Sequence, residues 1–468
     1  MNLRMGKYLW GLVLCCSMLP PVFAQQKPNI ILIVADDLGY GELGCYGQQM
    51  IHTPHIDALA RSGMRFTDYY AGSSVCAPSR ECLLTGYHTG HTAIRGNFRL
   101  EVPVGNLPMA TDHPTLAAYL KKAGYRTALF GKWGLGDPET GPNTRGFDYS
   151  WCYIDQVKAH NYYPPYLWKN DKKVILEANK NGKEALYSHS FFVDKTLDYI
   201  RHADQEPFFL YLPYTLPHGD YTLPPDTTYR KKKWPEHFQV YASMVSLLDA
   251  DVGRIVRLLK QKGIADHTVI VFTSDNGANP GAGKFFKGNG IFRGAKRELY
   301  EGGIREPLIV SWPGTIQPGQ LTGHITAAWD LLPTLCEIAG ISPQPSQTDG
   351  VSFLPELLNQ QQAGHRFLYW EYYHYNFNYG HPSNRLPRNW LESQAARMGK
   401  WKAVKTDQYH NKNAKIELYN LQTDPTEQQN IAGQHPAVVA QMKEIFKEAS
   451  VPDPPYFPFD TTLHKMRR

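Results

Sequence analysis

The sequence predicts an α/β protein whose mainly parallel central sheet is sandwiched by helices, followed by a smaller C-terminal α+β subdomain. Three observations predict it. Near-continuous apolar runs of five to seven residues recur through most of the chain, the pattern of strands buried on both faces. Stretches with 3.6-residue apolar spacing alternate with them, giving βα alternation. After Gly350 the runs become short and aromatic-rich, with one helical stretch behind them.

In chain order the predicted strands are Asn29 to Ala35 (NIILIVA), Arg126 to Phe130 (RTALF), Pro207 to Leu212 (PFFLYL), His267 to Thr273 (HTVIVFT) and Pro307 to Trp312 (PLIVSW). Pro114 to Ala123 and Val193 to His202 read as helices. The clearest helix is His237 to Lys262, where Val240, Met244, Leu247, Ile255 and Leu258 recur on one face. Beyond Gly350, Phe367 to Tyr373, Met398 to Val404 and Ile416 to Leu421 read as strands and Ala437 to Glu448 as a helix, before a Pro-rich tail. The expected division is a leader over 1–24, an α/β catalytic domain over 25–350 and an α+β subdomain over 351–468.

The chain has 468 residues, 42% hydrophobic and 20% charged, with 39 Gly and 34 Pro, a turn-rich globular balance that excludes fibrous, coiled-coil and disordered classes. Its formal charge is +6, and no Lys/Arg run interleaved with aromatics marks a nucleic-acid binder; Lys231, Lys232 and Lys233 read as a solvated loop. Arg4 and Lys7, the apolar stretch Tyr8 to Leu19, the break at Pro20 and Pro21 and the small Ala24 read as a secretory signal peptide cleaved before Gln25. The apolar run is about 12 residues, against the ~20 that span a bilayer. The expectation is therefore an exported protein, periplasmic or secreted, with no membrane segment after leader removal. Five cysteines lie beyond the leader, Cys45, Cys76, Cys82, Cys152 and Cys336. This odd, sparse set is no disulfide framework, and it lacks zinc-ligand spacing.

Ligands of open parallel sheets sit beyond the carboxyl ends of the strands. Four of the five predicted strands end in unusual polar residues: Asp36 and Asp37; Gly131, Lys132, Trp133 and Gly134; Tyr214 leading to His218; and Ser274, Asp275, Asn276 and Gly277. Any one such ending is an ordinary turn or helix cap. Together they point to one site. Adjacent carboxylates at Asp36 and Asp37 repel unless a cation neutralises them, and with Asp275 and the Asn276 amide the set is all oxygen, suited to Ca²⁺ or Mg²⁺.

The most specific stretch is Cys76-Ala77-Pro78-Ser79-Arg80-Glu81-Cys82-Leu83-Leu84-Thr85-Gly86. It resembles the signature of the formylglycine-dependent sulfatases: Cys or Ser, any residue, Pro-Ser-Arg, three residues, Leu-Thr-Gly. The resemblance extends over nearly the whole chain beyond the leader. Lys27, Pro28 and Asn29 leading to Asp36 and Asp37 resemble the family's first metal strand, Gly131 to Trp133 its lysine motif, Thr273 to Gly277 its second metal strand, and Arg293 to Lys296 with Glu301 to Arg305 its last active-site loop. Glu417 to Leu421 and Thr423 to Pro425 resemble its carboxyl-terminal subdomain, of the bacterial carbohydrate sulfatase type. The implied fold is alkaline-phosphatase-like.

That resemblance implies that Cys76 is oxidised to formylglycine by a formylglycine-generating or anaerobic sulfatase-maturating enzyme, which would account for the odd thiol. It implies one Ca²⁺ held by Asp36, Asp37, Asp275, Asn276 and the modified residue 76. Arg80 would stabilise the anionic hydrate, Lys132 and Lys296 would hold the sulfuryl oxygens, and His218 is the candidate general acid. Each has an ordinary alternative, as a surface charge or a turn histidine. One departure is Gly134, where many members carry His; His88 and His91 are near enough in sequence to be substitutes.

Tyr153, Asp155, Gln156, His160, Asn161, Tyr162, Tyr163 and Trp168 form an aromatic and polar cluster that suits a sugar ring, or equally the packing of a long insertion. His91 and Asn97 follow the nucleophile segment closely enough to line the same pocket, and Asp155 and His160 are the cluster's candidate sugar contacts. Trp168, Trp370 and Arg397 are candidate rim residues. The expected substrate is a sulfated glycan terminus, galactose or N-acetylgalactosamine 4-sulfate. The rival readings are a phosphoester or phosphonate hydrolase of the same superfamily, and a catalytically silent sulfoglycan-binding protein.

Overall fold

The computed structural model describes residues 27–97, 107–203, 206–226, 228–343, 347–375, 389–408, 410, 411 and 413–451; the leader expected at 1–24 lies outside them. The strands of the larger part are β1 (Asn29–Ala35), β2 (Met64–Phe66), β3 (Tyr69–Tyr70), β4 (Arg126–Lys132), β5 (Tyr149–Tyr153), β6 (Tyr166–Lys169), β7 (Lys172–Ile175), β8 (Phe208–Pro213), β9 (Thr268–Ser274), β10 (Leu308–Ser311), β11 (Gln320–Thr322) and β12 (Thr326–Ala327). Ten of them form one sheet in the order β11-β2-β10-β9-β1-β8-β4-β5-β6-β7, and β12 pairs with β3. The run β9-β1-β8-β4-β5 is parallel throughout. Each predicted strand of this part is present, but Leu308–Ser311 enters antiparallel to β9.

Strand β1 is buried along its whole length. Its alternate residues feed two cores, as period-2 side-chain direction requires. Ile31 and Ile33 pack in the core that contains helices α1 (Pro54–Arg61), α4 (Ser188–Arg201) and α5 (Glu236–Gln261); Ile30, Leu32 and Val34 pack in the core that contains α2 (Cys76–Thr85) and α3 (Leu116–Lys122). Among the described residues no helix is long and apolar enough to cross a membrane. The five described cysteines are unpaired.

The smaller part is an antiparallel sheet of β13 (Leu368–Tyr375), β14 (Asn389–Met398), β15 (Trp401–Lys405) and β16 (Glu417–Asn420), in that order. Its outer face carries the helix Pro436–Glu448 over Tyr369, Ala403 and Leu418, and its inner face packs Trp370, Val404 and Tyr419 against Tyr70, Val75 and Trp329 of the larger part. An ion network crosses this seam: Lys402 Nζ lies 2.8 Å from Glu301 and 3.0 Å from Glu427, and Arg305 lies 3.0 Å from Glu301. Lys402, Glu301 and Glu427 are fully buried. Removing one partner of such a network strands the others in a low dielectric. Lys402→Met is therefore expected to cost about 3 kcal/mol of stability, read as a lowered urea midpoint, and a midpoint equal to wild type would contradict it.

Candidate active site

Parallel pairing of β1 with β9 ends with Ala35 opposite Ser274, so the two acidic endings emerge side by side. Asp275 N–H donates to the Ala35 carbonyl at 3.1 Å, and Asp37 N–H donates to Asp275 Oδ1 at 3.2 Å. Asp37 takes a left-handed conformation (φ 65°). Asp36 N–H donates to the Leu216 carbonyl, which ties the segment after β8, through the cis Leu216–Pro217 bond to His218, against the end of β1. Strand β4 ends at Lys132. Helix α2 begins at Cys76, and all ten of its residues are buried.

The side chains interlock by charge. Asp36 accepts from Lys132 Nζ at 2.6 Å, lies 3.3 Å from Arg80 Nη2, and its Oδ1 is 3.5 Å from Cys76 Sγ. Asp37 accepts from Lys296 Nζ at 2.7 Å and from Asn276 Nδ2 at 2.8 Å, with His218 Nε2 3.7 Å away. Asp275 accepts from Arg80 Nε at 2.9 Å and lies 2.7 Å from Nη2. Thus Asp36, Asp37, Cys76, Arg80, Lys132, His218, Asp275, Asn276 and Lys296 meet in one buried cluster.

Burial opposes ionisation of Asp36, yet Lys132, His218, Arg80 and Lys296 outweigh it and hold the carboxyl well below its ordinary range. Burial likewise opposes Asp37, with Lys296 and His218 prevailing. Asp275 is pushed up to about 6, first by burial and then by Asp36, because Arg80 does not fully compensate. Burial drives His218 down to about 3, reinforced by Lys296 and Lys132 against Asp36 and Asp37. The Cys76 thiol is raised to about 11, by burial and by Asp36. An unmodified thiol here is a protonated, poor nucleophile.

The oxygens of Asp36, Asp37, Asp275 and Asn276 fit a hard cation, with a sulfur and an imidazole nitrogen close beside them. Asp36, Asp37, Cys76 and His218 each offer a ligand atom within 4.8 Å of the others. Asn276 Oδ1 is buried without a hydrogen-bond partner while its amide nitrogen is satisfied by Asp37. A carbonyl oxygen left so beside three carboxylates is the kind of ligand Ca²⁺ takes.

The other sequence candidates divide. Asn97 lies at the start of α2, where its Oδ1 accepts from Ala77 N–H at 3.1 Å and from Gln156 Nε2 at 3.4 Å. His160 sets its ring against His218, centroids 4.2 Å apart. Asp155 instead accepts from Lys158 N–H at 2.7 Å and caps its own loop. His91 is held in a separate group: it binds Asp349 at 2.8 Å with its ring stacked on His88. This corrects the placement of His91 in the pocket and removes both histidines as substitutes at position 134. Gly134 adopts φ 69°, and a Cβ there would lie 3.0 Å from Gln156 Oε1. The Gln156 carboxamide occupies that space, which no local signal in the sequence shows. Trp370 is fully buried and donates to the Ala71 carbonyl, and Arg397 pairs with Asp68 at 2.8 Å. Neither is a rim residue, and Trp168 packs against the second core. Tyr211 on β8, buried beside Arg80, is a neighbour of the cluster that apolar patterning concealed.

Residues 28–341 match the family described as Sulfatase, and residues 289–451 match the one described as N-sulphoglucosamine sulphohydrolase, C-terminal. N-acetylgalactosamine-6-sulfatase of Rattus norvegicus is 36% identical over 361 residues, 72% of this chain and 66% of that protein, so the chain spans about two thirds of the rat protein's length. N-acetylgalactosamine-6-O-sulfatase of Bacteroides thetaiotaomicron is 29% identical, over 90% of this chain and 93% of that protein. Among solved structures, that of Ps i-CgsB in complex with k-i-k-neocarrahexaose is 30% identical with a TM-score of 0.79, covering 94% of this chain and 96% of that one. With the family match running through both acidic strand endings, helix α2 and the two lysine loops, the chain belongs to the sulfatase family, the sulfuric ester hydrolases.

Proposed function

We propose that this protein is an exported carbohydrate sulfatase that removes sulfate from a terminal N-acetylgalactosamine or galactose of a sulfated glycan, using formylglycine at position 76 and one Ca²⁺. The observation that carries the reading is the convergence of Cys76 with Arg80, Lys132, Lys296, His218 and the acidic set at the carboxyl ends of the strands. The two relatives named for N-acetylgalactosamine-6-sulfate support the sugar, and favour the 6-position over the 4-position expected from sequence. The leader over 1–24 supports export, and the intact signature implies a maturating enzyme as partner.

Asp36, Asp37, Asp275 and Asn276 would hold the cation, with position 76 beside them. When present, the formylglycine hydrate supplies an in-line nucleophile at sulfur and the cation supplies a Lewis acid for it and for a sulfuryl oxygen. Lys132 and Lys296, both at the cluster, neutralise charge gathering on the sulfuryl oxygens. Arg80, anchored to Asp275 and Asp36, holds positive charge under position 76. Burial holds the His218 imidazole well below its ordinary range, toward the neutral form. An entering anionic ester favours its protonated form, so that it carries the proton the leaving alcohol needs.

A panel of sulfated mono- and disaccharides scored for sulfate release tests the substrate: release from N-acetylgalactosamine 6-sulfate ahead of the 4-sulfate is expected, and preference for phosphate monoesters would overturn the reading. His218→Ala is expected to lower kcat/KM by about 10²- to 10⁴-fold for a sugar sulfate, whose alkoxide leaves poorly, and far less for an aryl sulfate that leaves unaided. Equal losses would assign His218 another task.

A further inference from the structure

The outer face of the smaller sheet holds a groove of about 800 Å³ between the strands and the helix Pro436–Glu448. Its lining combines an apolar floor of Ile416, Val439 and Phe446 with four lysines, Lys405, Lys415, Lys443 and Lys447, and among the described residues includes no carboxylate. Lys443 and Lys447, four residues apart, project from the same helix face as Val439. Among the described residues none of the four lysines has a carboxylate within ion-pair distance, although twenty other cations, histidines included, do. Surface lysines ordinarily sit among mixed charges. Four unpaired ones around an apolar trough are complementary to a ligand with repeated negative charge and hydrocarbon faces.

The groove's place on the sheet sets the size of its ligand. Gln394 and Lys405, paired across β14 and β15, both line it. One residue along β14, Ser393 pairs with Tyr372 of β13. Tyr372 packs on the inner face against the larger part, so the groove lies on the opposite face of the sheet, and one molecule that occupied both the groove and the active site would have to be a long chain.

We propose that this lysine groove is a second glycan-binding site, which holds the polysulfated chain whose terminal sugar enters the active site. The proposal rests on the reading of the protein as a carbohydrate sulfatase and adds to it the length of the substrate: a polymer held at two places rather than a free monosaccharide. Two linked contacts raise the effective concentration of the chain end at the active site without any change in the chemistry there.

The test uses the full-length protein. In a Cys76→Ala background, which prevents turnover, binding to long chondroitin 6-sulfate chains is measured by affinity electrophoresis. Lys415→Ser/Lys443→Ser/Lys447→Ser is expected to weaken binding at least about tenfold and to flatten its salt dependence, while the corresponding triple Arg variant retains it. In the Cys76-bearing enzyme the triple Ser change is expected to raise KM for the long chain and leave kcat/KM for a monosaccharide sulfate at the wild-type value. Wild-type retention by the triple Ser variant would overturn the proposal, as would equal binding of chemically desulfated chains, or DNA bound as tightly as the sulfated glycan. Because binding is read without turnover, a wild-type enzyme that released no sulfate from any sugar would defeat the active-site reading alone.

Discussion

Cys76→Ala is expected to lower sulfate release by at least about 10⁴-fold while leaving the fold intact. The side chain removed is a small buried one whose Sγ lies 3.5 Å from Asp36, so little packing is lost. The chemistry lost is much larger. Neither Arg80 nor Lys132 can replace a nucleophile, and the thiol itself, pushed up to about 11 by burial and by Asp36, is protonated at neutral pH. The proposed function therefore assigns the nucleophile to a modified residue 76. Peptide mass spectrometry of active protein is expected to show an aldehyde in place of the Cys76 thiol, and protein produced without a maturating enzyme is expected to be inactive with an unchanged circular dichroism spectrum. Full activity in a preparation whose Cys76 is entirely thiol would refute the assignment.

Removal of the cation is expected to have the next largest effect. Exhaustive chelation should abolish turnover, and Ca²⁺ should restore it. Asp275→Asn and Asp36→Asn should each reduce activity more than about 100-fold, beyond the 10- to 100-fold typical of residues that merely support a metal ligand. A second readout does not depend on turnover. A ligand that binds only the folded state stabilises it by about 2.7 kcal/mol at one hundred times its dissociation constant, so Ca²⁺ should raise the melting temperature of wild type and leave the Asp36→Asn/Asp275→Asn double variant unmoved. The geometry gives the reason: Asn276 Oδ1 is buried and unpartnered, and Asp275 is undercompensated by Arg80. Zinc recovered as the native ion would contradict the oxygen donor set.

Both predictions depend on residues legible in the linear chain. The strands Asn29–Ala35, Arg126–Lys132, Phe208–Pro213 and Thr268–Ser274 are readable because a strand buried on both faces needs a continuous apolar run, which is local information. Their carboxyl ends then point to the site, since a parallel sheet delivers all such ends to one edge. Short strands at the sheet's margins, such as Met64–Phe66 and Gln320–Thr322, bury too few residues to leave a pattern. Asn389–Met398 leaves no apolar run for another reason: paired antiparallel between β13 and β15, it mixes Glu392, Ser393 and Gln394 with apolar residues.

What the chain alone determined is thus the parallel core, the nucleophile signature and the acidic endings, each encoded by neighbours in sequence. Only the tertiary structure decided which distant side chains reach that edge. Lys296 meets Asp37 across 259 residues because the loop that carries it is tied back, its N–H donating to the Ala278 carbonyl. His91, only 15 residues after Cys76, is taken up by Asp349, 258 residues away in the chain. Gln156 fills the space beside Gly134 because two loops from different strands close on each other. Trp370 and Arg397, aromatic and charged as a sugar rim would be, are instead consumed by the seam between the two sheets, where burial demands that an indole N–H find a carbonyl and a guanidinium find a carboxylate.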